Sequence, residues 1–121
     1  MPGPAPAGLF IYAKDLTRVA DFYQALLGMQ RVHGAEGLVV LESQQVQLVV
    51  HAIPPHIAVD IVIEVPPVRR EDSALRFFFS VPAIAAARAL AASLGGSVDD
   101  QVWSGSGMRM CNAVDPEGNI F

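Results

Sequence analysis

The chain has 121 residues, 52% hydrophobic and 17% charged, with a formal net charge of −4. That is one domain's length with enough apolar residues for a core, which excludes disorder. The acidic balance argues against nucleic acid, which rewards clustered Lys and Arg. A single cysteine, Cys111, excludes an internal disulfide and fits a reducing, cytoplasmic compartment. The start MPGPAPAG carries neither the basic nor the apolar region of a signal peptide, and no apolar run approaches the roughly 18 residues of a membrane span.

In chain order, GLFIYAKDL reads as a strand and Asp15 as the N-cap of a following helix. Leu16, Val19, Ala20, Tyr23, Leu26 and Leu27 then form one apolar helical stripe, closed by Gly28 as a C-terminal glycine. Three β-like runs follow: MQRVHG, GLVVLES and QVQLVVHAI. Residues 54–73, with Pro54, Pro55, Pro66, Pro67 and the charged RRED, read as a connector holding one edge strand at 59–65. The pair Arg69-Arg70, followed at once by Glu71-Asp72, reads as a solvated loop and not as a phosphate patch.

After the connector the first pattern starts again. ALRFFFSV is a strand, Pro82 suits the first turn of a helix, and AIAAARALAASL favours helix until Gly95-Gly96. Further β-like segments cover about 101–103 and 107–114, and the turn DPEGN leads into Ile120-Phe121, the first residues of a last strand. A shift of 68 residues lays Leu16 on Ile84, Phe22 on Leu90, Leu26 on Leu94 and Gly28 on Gly96, as an internal structural repeat requires. The expected class is α+β in a single domain, residues 1–121. It consists of a first βαβββ module at 8–53, the connector at 54–73, and a second module at 74–121 that reaches only the start of its last strand.

Strand alternation predicts sidedness. Leu9, Ile11 and Ala13, and likewise Val46, Leu48, Val50 and Ala52, face the helix, as do Leu75, Phe77, Phe79 and Val81 in the second module. The opposite face then presents Gly8, Phe10, Tyr12, Gln47, Val49, His51, Arg76, Phe78 and Ser80. Aromatics interspersed with a few polar groups are the lining of a small-molecule site.

FIYAKDLTRVADFYQALLGM, a second strand-helix start ending in LGG, and the closing DPEGN together resemble the glyoxalase / bleomycin-resistance / extradiol-dioxygenase superfamily, the vicinal oxygen chelate fold. The resemblance implies two βαβββ modules joined into a cupped, incomplete barrel, often in a homodimer. It does not choose among isomerases, dioxygenases, thiol transferases and plain binding proteins. It also implies four metal-ligand positions. Here they fall on Gly8, Gln47, Arg76 and a position one beyond Phe121. Gly8 has no side chain, and a guanidinium does not ligate a cation, whereas a catalytic zinc takes three protein ligands. No metal and no other cofactor are therefore expected.

The expected ligand-binding residues are Phe10, Tyr12, Gln47, Val49, His51, Arg76, Phe78 and Trp103. Arg76 is read either as an anchor for a ligand carboxylate, phosphate or enolate, or as a strand-end arginine paired with an acid such as Glu42. His51 is read as a general base or as a surface histidine, and Gln47 as a satisfied polar pocket residue. The four aromatics form a pocket wall, or fill the cup or a dimer interface. Cys111 reads as a structural thiol, Asp115 and Glu117 as turn residues, and His33 and His56 show no ligand spacing. The functional expectation is a metal-free protein binding an aromatic or anionic small organic molecule. The alternatives are a metal-dependent lyase, isomerase or dioxygenase of the same superfamily, and a non-catalytic dimeric module with a filled cup.

Overall fold

A computed structural model describes residues 3–121. In the first half, β1 (Ala7–Ala13) leads to α1 (Leu16–Leu27), followed by β2 (Gln30–Ala35), β3 (Leu38–Ser43) and β4 (Val46–Ala52). Both predicted caps of α1 are present. The Asp15 side chain accepts the Arg18 backbone N–H at 3.1 Å, and Gly28 ends α1 with φ 62°, a left-handed conformation that costs glycine little. The four strands form one sheet in the order β1-β4-β3-β2, with β1 parallel to β4 and the other pairs antiparallel.

The predicted sidedness holds in this sheet. Ile11, Ala13, Leu41, Leu48 and Val50 are buried against Val19, Ala20, Phe22, Tyr23 and Leu26 of α1. Strand pairing places Gly8 beside Gln47, Phe10 beside Val49 and Tyr12 beside His51 on the face away from α1. The same register carries Glu42, Val40 and Leu38 of β3 onto that face, next to Gln47, Val49 and His51.

The connector differs from expectation. It opens with a short helix, α2 (Pro55–Ala58), and residues 59–65 form no strand. Pro66 and Pro67 remove donors at its end, and no neighbouring strand offers a ladder. Residues 74–81, the expected first strand of the second half, likewise lie outside any ladder. Their alternation still sets direction: Phe77 and Phe79 pack against the core, while Phe78 stays 88% exposed. Leu75, expected to face inward with them, is also exposed.

The second half continues with α3 (Ile84–Ser93), β5 (Ser97–Val98), the hairpin β6 (Trp103–Gly105) and β7 (Met108–Met110), and β8 (Ala113–Val114). Strand β5 pairs with β8 and β6 with β7, all antiparallel. The helices begin in register with the 68-residue repeat, but the second ends earlier than Gly96 implied, and its left-handed glycine is Gly95, φ 90°. The last strand is present in outline. Ile120 bridges Val114, and Phe121 exchanges both backbone hydrogen bonds with Ala113, at 2.6 and 2.9 Å.

The halves meet through aromatics and through the terminal turn. The Phe121 ring stacks on Phe77 at 5.2 Å between centroids and 8° between planes, and also packs on Tyr23 and Phe22. The Glu117 carboxylate accepts the backbone N–H groups of Lys14 and Asp15, at 2.8 and 2.7 Å, and so clasps the β1–α1 junction. No helix among the described residues is long and apolar enough to cross a membrane.

Candidate functional site

The face of β1 and β4 opposite α1 gathers five of the eight expected residues. Phe10 and Tyr12 project from β1, 60% and 58% exposed, with ring centroids 6.4 Å apart. The Tyr12 ring also lies 5.5 Å from that of His51 on β4. His51 Nδ1 lies 2.7 Å from the Ala52 carbonyl oxygen, so Nδ1 carries the proton and donates, leaving Nε2 as the available lone pair. Val49 and Gln47, both almost fully buried, complete the β4 row. The Gln47 amide donates to the Gly3 carbonyl oxygen at 2.8 Å and to the Glu42 carboxylate at 3.1 Å, which places the N-terminal segment over this end of the sheet.

Beside this face lies a cleft of about 670 Å³, between β1 and residues 70–77. Phe10, Tyr12, Leu75 and Phe77 give it apolar walls, with Ile120 and Asn119 at the end of the terminal turn. Arg70, Asp72 and Arg76 supply its charges. Three of the expected residues therefore come together here: Phe10, Tyr12 and Arg76. Gln47, Val49 and His51 share the sheet face but do not line the cleft. Phe78 is exposed to solvent and does not line the cleft, and Trp103 lies on the β6–β7 hairpin across from Met110. A second cleft, about 490 Å³ between Ile61–Val68 and Glu117, contains none of the expected residues.

Arg76 does not pair with Glu42. Its Nη1 donates to the Asn112 side-chain oxygen at 3.3 Å, and among the described residues it takes part in no ion pair. Glu42 is instead the partner of Gln47. Arg70 was not expected in the site. Its sequence signal, a basic pair followed by an acidic pair, is that of any solvated loop. Only the fold separates the two arginines: Arg69 turns to Glu71 and Asp99, and Arg70 lines this cleft as well as the second one.

The three expected metal positions within the chain do not suit a metal. Gly8 offers no ligating atom, and a Cβ there would lie 3.1 Å from the Gln47 carbonyl oxygen, a tight contact. Gln47 is held by Gly3 and Glu42, and Arg76 brings a positive charge. No group of three His, Cys, Asp or Glu side chains with metal-binding geometry occurs among the described residues.

Asp115 and Glu117 have structural duties. Asp115 is wholly buried and accepts from the Tyr23 hydroxyl at 2.7 Å, the Glu117 and Asn119 backbone N–H groups at 2.9 and 3.0 Å, and the Asn119 amide at 2.8 Å. Burial raises the Tyr23 pKa well above its ordinary value, and the Asp115 charge and hydrogen bond push the same way.

Comparison with known proteins agrees with this architecture. A glyoxalase/bleomycin-resistance/dioxygenase family enzyme from Burkholderia phytofirmans PsJN matches with TM-score 0.65 and 19% identity, over 94% of this chain and 92% of that one. A glyoxalase/bleomycin resistance protein from Albidiferax ferrireducens T118 matches with TM-score 0.64 and 20% identity, over 94% and 92%. A lactoylglutathione lyase from Agrobacterium tumefaciens matches with TM-score 0.56 and 18% identity, over 99% and 92%. At such identities the likeness speaks to the fold alone. No curated protein matches significantly. The glyoxalase-like domain family model matches residues 8–121, and the chain belongs to that family, with the glyoxalase / bleomycin-resistance / dioxygenase fold.

Proposed function

We propose that this protein binds a small organic molecule without a metal, in the cleft beside β1. The ligand would be sequestered there or undergo a metal-independent reaction. The observation that carries the reading is the meeting of Phe10, Tyr12 and Arg76 around about 670 Å³, within the usual volume range of ligand pockets. The aromatic rings provide a flat apolar wall and Arg76 a cation with free donors. Arg76 takes the place of a metal as the site's positive charge.

Two measurements test this. A thermal-shift screen of metabolites and drugs should identify organic binders, and Arg76→Ala should weaken an anionic binder about tenfold, the worth of one charge-assisted hydrogen bond. Unchanged affinity would remove Arg76 from the site. Elemental analysis of protein purified without chelators should find no stoichiometric Zn, Ni, Mn or Fe. About one such ion per chain, lost on mutating Gln47 or His51, would favour the metal-dependent alternative.

The same reading includes a homodimer in the cytoplasm. Supporting it are the free thiol of Cys111 and the highly exposed Val62, Val65, Leu75 and Phe78, all within residues that form no ladder.

A further inference from the structure

We infer that Arg70 and Arg76 act together as an anion clamp, selecting an aromatic monocarboxylate as the ligand of the cleft. This rests on reading the cleft as the binding site, and it adds a residue and a ligand class to that reading.

The two arginines of the Arg69-Arg70 pair have opposite fates. Arg69 is neutralised by Glu71 at 2.8 Å and by both oxygens of Asp99, at 2.8 and 3.2 Å. Among the described residues Arg70 pairs with no carboxylate, and it stands where the two clefts adjoin, lining both. Its Nε donates to the Glu117 carbonyl oxygen at 3.1 Å and its backbone N–H to the Gly118 carbonyl oxygen at 2.9 Å. Those bonds tie its stem to the terminal turn, and both terminal nitrogens remain without a partner among the described residues. Arg76 is similar, since its single described bond is the 3.3 Å contact to Asn112. The same cleft thus holds two guanidinium groups with unused donors on tethered side chains. Guanidinium forks match the planar geometry of a carboxylate.

Charge and shape narrow the class further. Asp72 also lines the cleft and pairs with neither arginine. Two cations and one anion leave a lining charge of +1, which a monoanion neutralises and a dianion overshoots beside Asp72. The walls of Phe10, Tyr12 and Phe77 favour a flat ring over an aliphatic chain. A neutral aromatic would cover the walls but leave both guanidinium groups without a counter-charge. A cationic aromatic would be repelled by them.

Calorimetric titration with 2-naphthoate, 2-naphthamide and 2-naphthylmethylammonium separates these cases, because the ring is constant and only the charge changes. Naphthoate should bind at least about tenfold tighter than naphthamide, and the ammonium weakest. Arg70→Gln and Arg76→Gln should each cost about tenfold toward naphthoate and clearly less toward naphthamide, whose carbonyl oxygen accepts a hydrogen bond but carries no charge. Retained naphthamide binding also certifies that the cleft has survived the substitution. Equal binding of naphthoate and naphthamide by the native protein would overturn the clamp and leave the cleft as a binding site. The same ratio decides the matter even if Arg70→Gln fails to fold. Failure of all three probes to bind would overturn the clamp and the cleft reading together.

Discussion

Asp115 is the residue on which the terminal turn depends. A buried carboxylate is costly unless its oxygens are hydrogen-bonded, and this one receives four donors. Three come from its own turn, and the fourth is the Tyr23 hydroxyl from α1. Tyr23→Phe removes that donor without opening a cavity. It should destabilise the fold by about 1–3 kcal/mol in denaturant titrations. The burial of Tyr23, together with the Asp115 charge and this bond, predicts a pH dependence. The folded Tyr23 pKa is raised, so above about pH 10 the unfolded chain releases a phenol proton that the native state retains. This contribution is complete below that pH and is lost as pH rises further. Stability should therefore fall more steeply above pH 10 in the native protein than in Tyr23→Phe. Parallel curves for the two would refute the assignment. In the sequence Asp115 reads only as a turn residue, because its partner lies 92 positions away.

At the scale of elements, the β1–α1 junction and the terminal turn form one unit. Glu117 accepts the N–H groups of Lys14 and Asp15, while Gly118, φ 91°, passes close under the Val68 carbonyl oxygen. A Cβ at Gly118 meets that oxygen and must also adopt a left-handed conformation. Gly118→Ala should lose more than about 2 kcal/mol of stability, read from the denaturant midpoint. Gly3→Ala, where a Cβ meets nothing, is the matched control. Helices α1 and α3 and the first four strands are legible from the sequence because their signals are local: an apolar stripe, a capping Asp15, a left-handed Gly28 and alternation. The segment 74–81 has the alternation of a strand but no ladder, since alternation carries no information on pairing.

For the molecule as a whole, the two segments outside any ladder expose much of the large apolar surface. Val62, Val65, Leu75 and Phe78 are each at least 75% exposed. Unpaired extended chain bearing apolar side chains is a template for association. The proposed homodimer is tested by light scattering coupled to size exclusion. The native protein should elute as a dimer, and Phe78→Asp should shift it toward monomer with little change in monomer stability, because that ring is 88% exposed within the chain. A monomeric native protein at micromolar concentration would end the proposal.

The sequence by itself determined the class of fold, the order of its first elements, and which face of β1 and β4 meets α1. These rest on local periodicity and on the chemistry of single side chains. The tertiary structure decided the composition of the cleft. It joined Phe10 and Tyr12 to Arg76, left Phe78 and Trp103 elsewhere, brought in Arg70, and assigned Glu117 to the opposite end of the chain. Those outcomes depend on contacts between residues far apart in sequence, where neither spacing nor composition carries a signal.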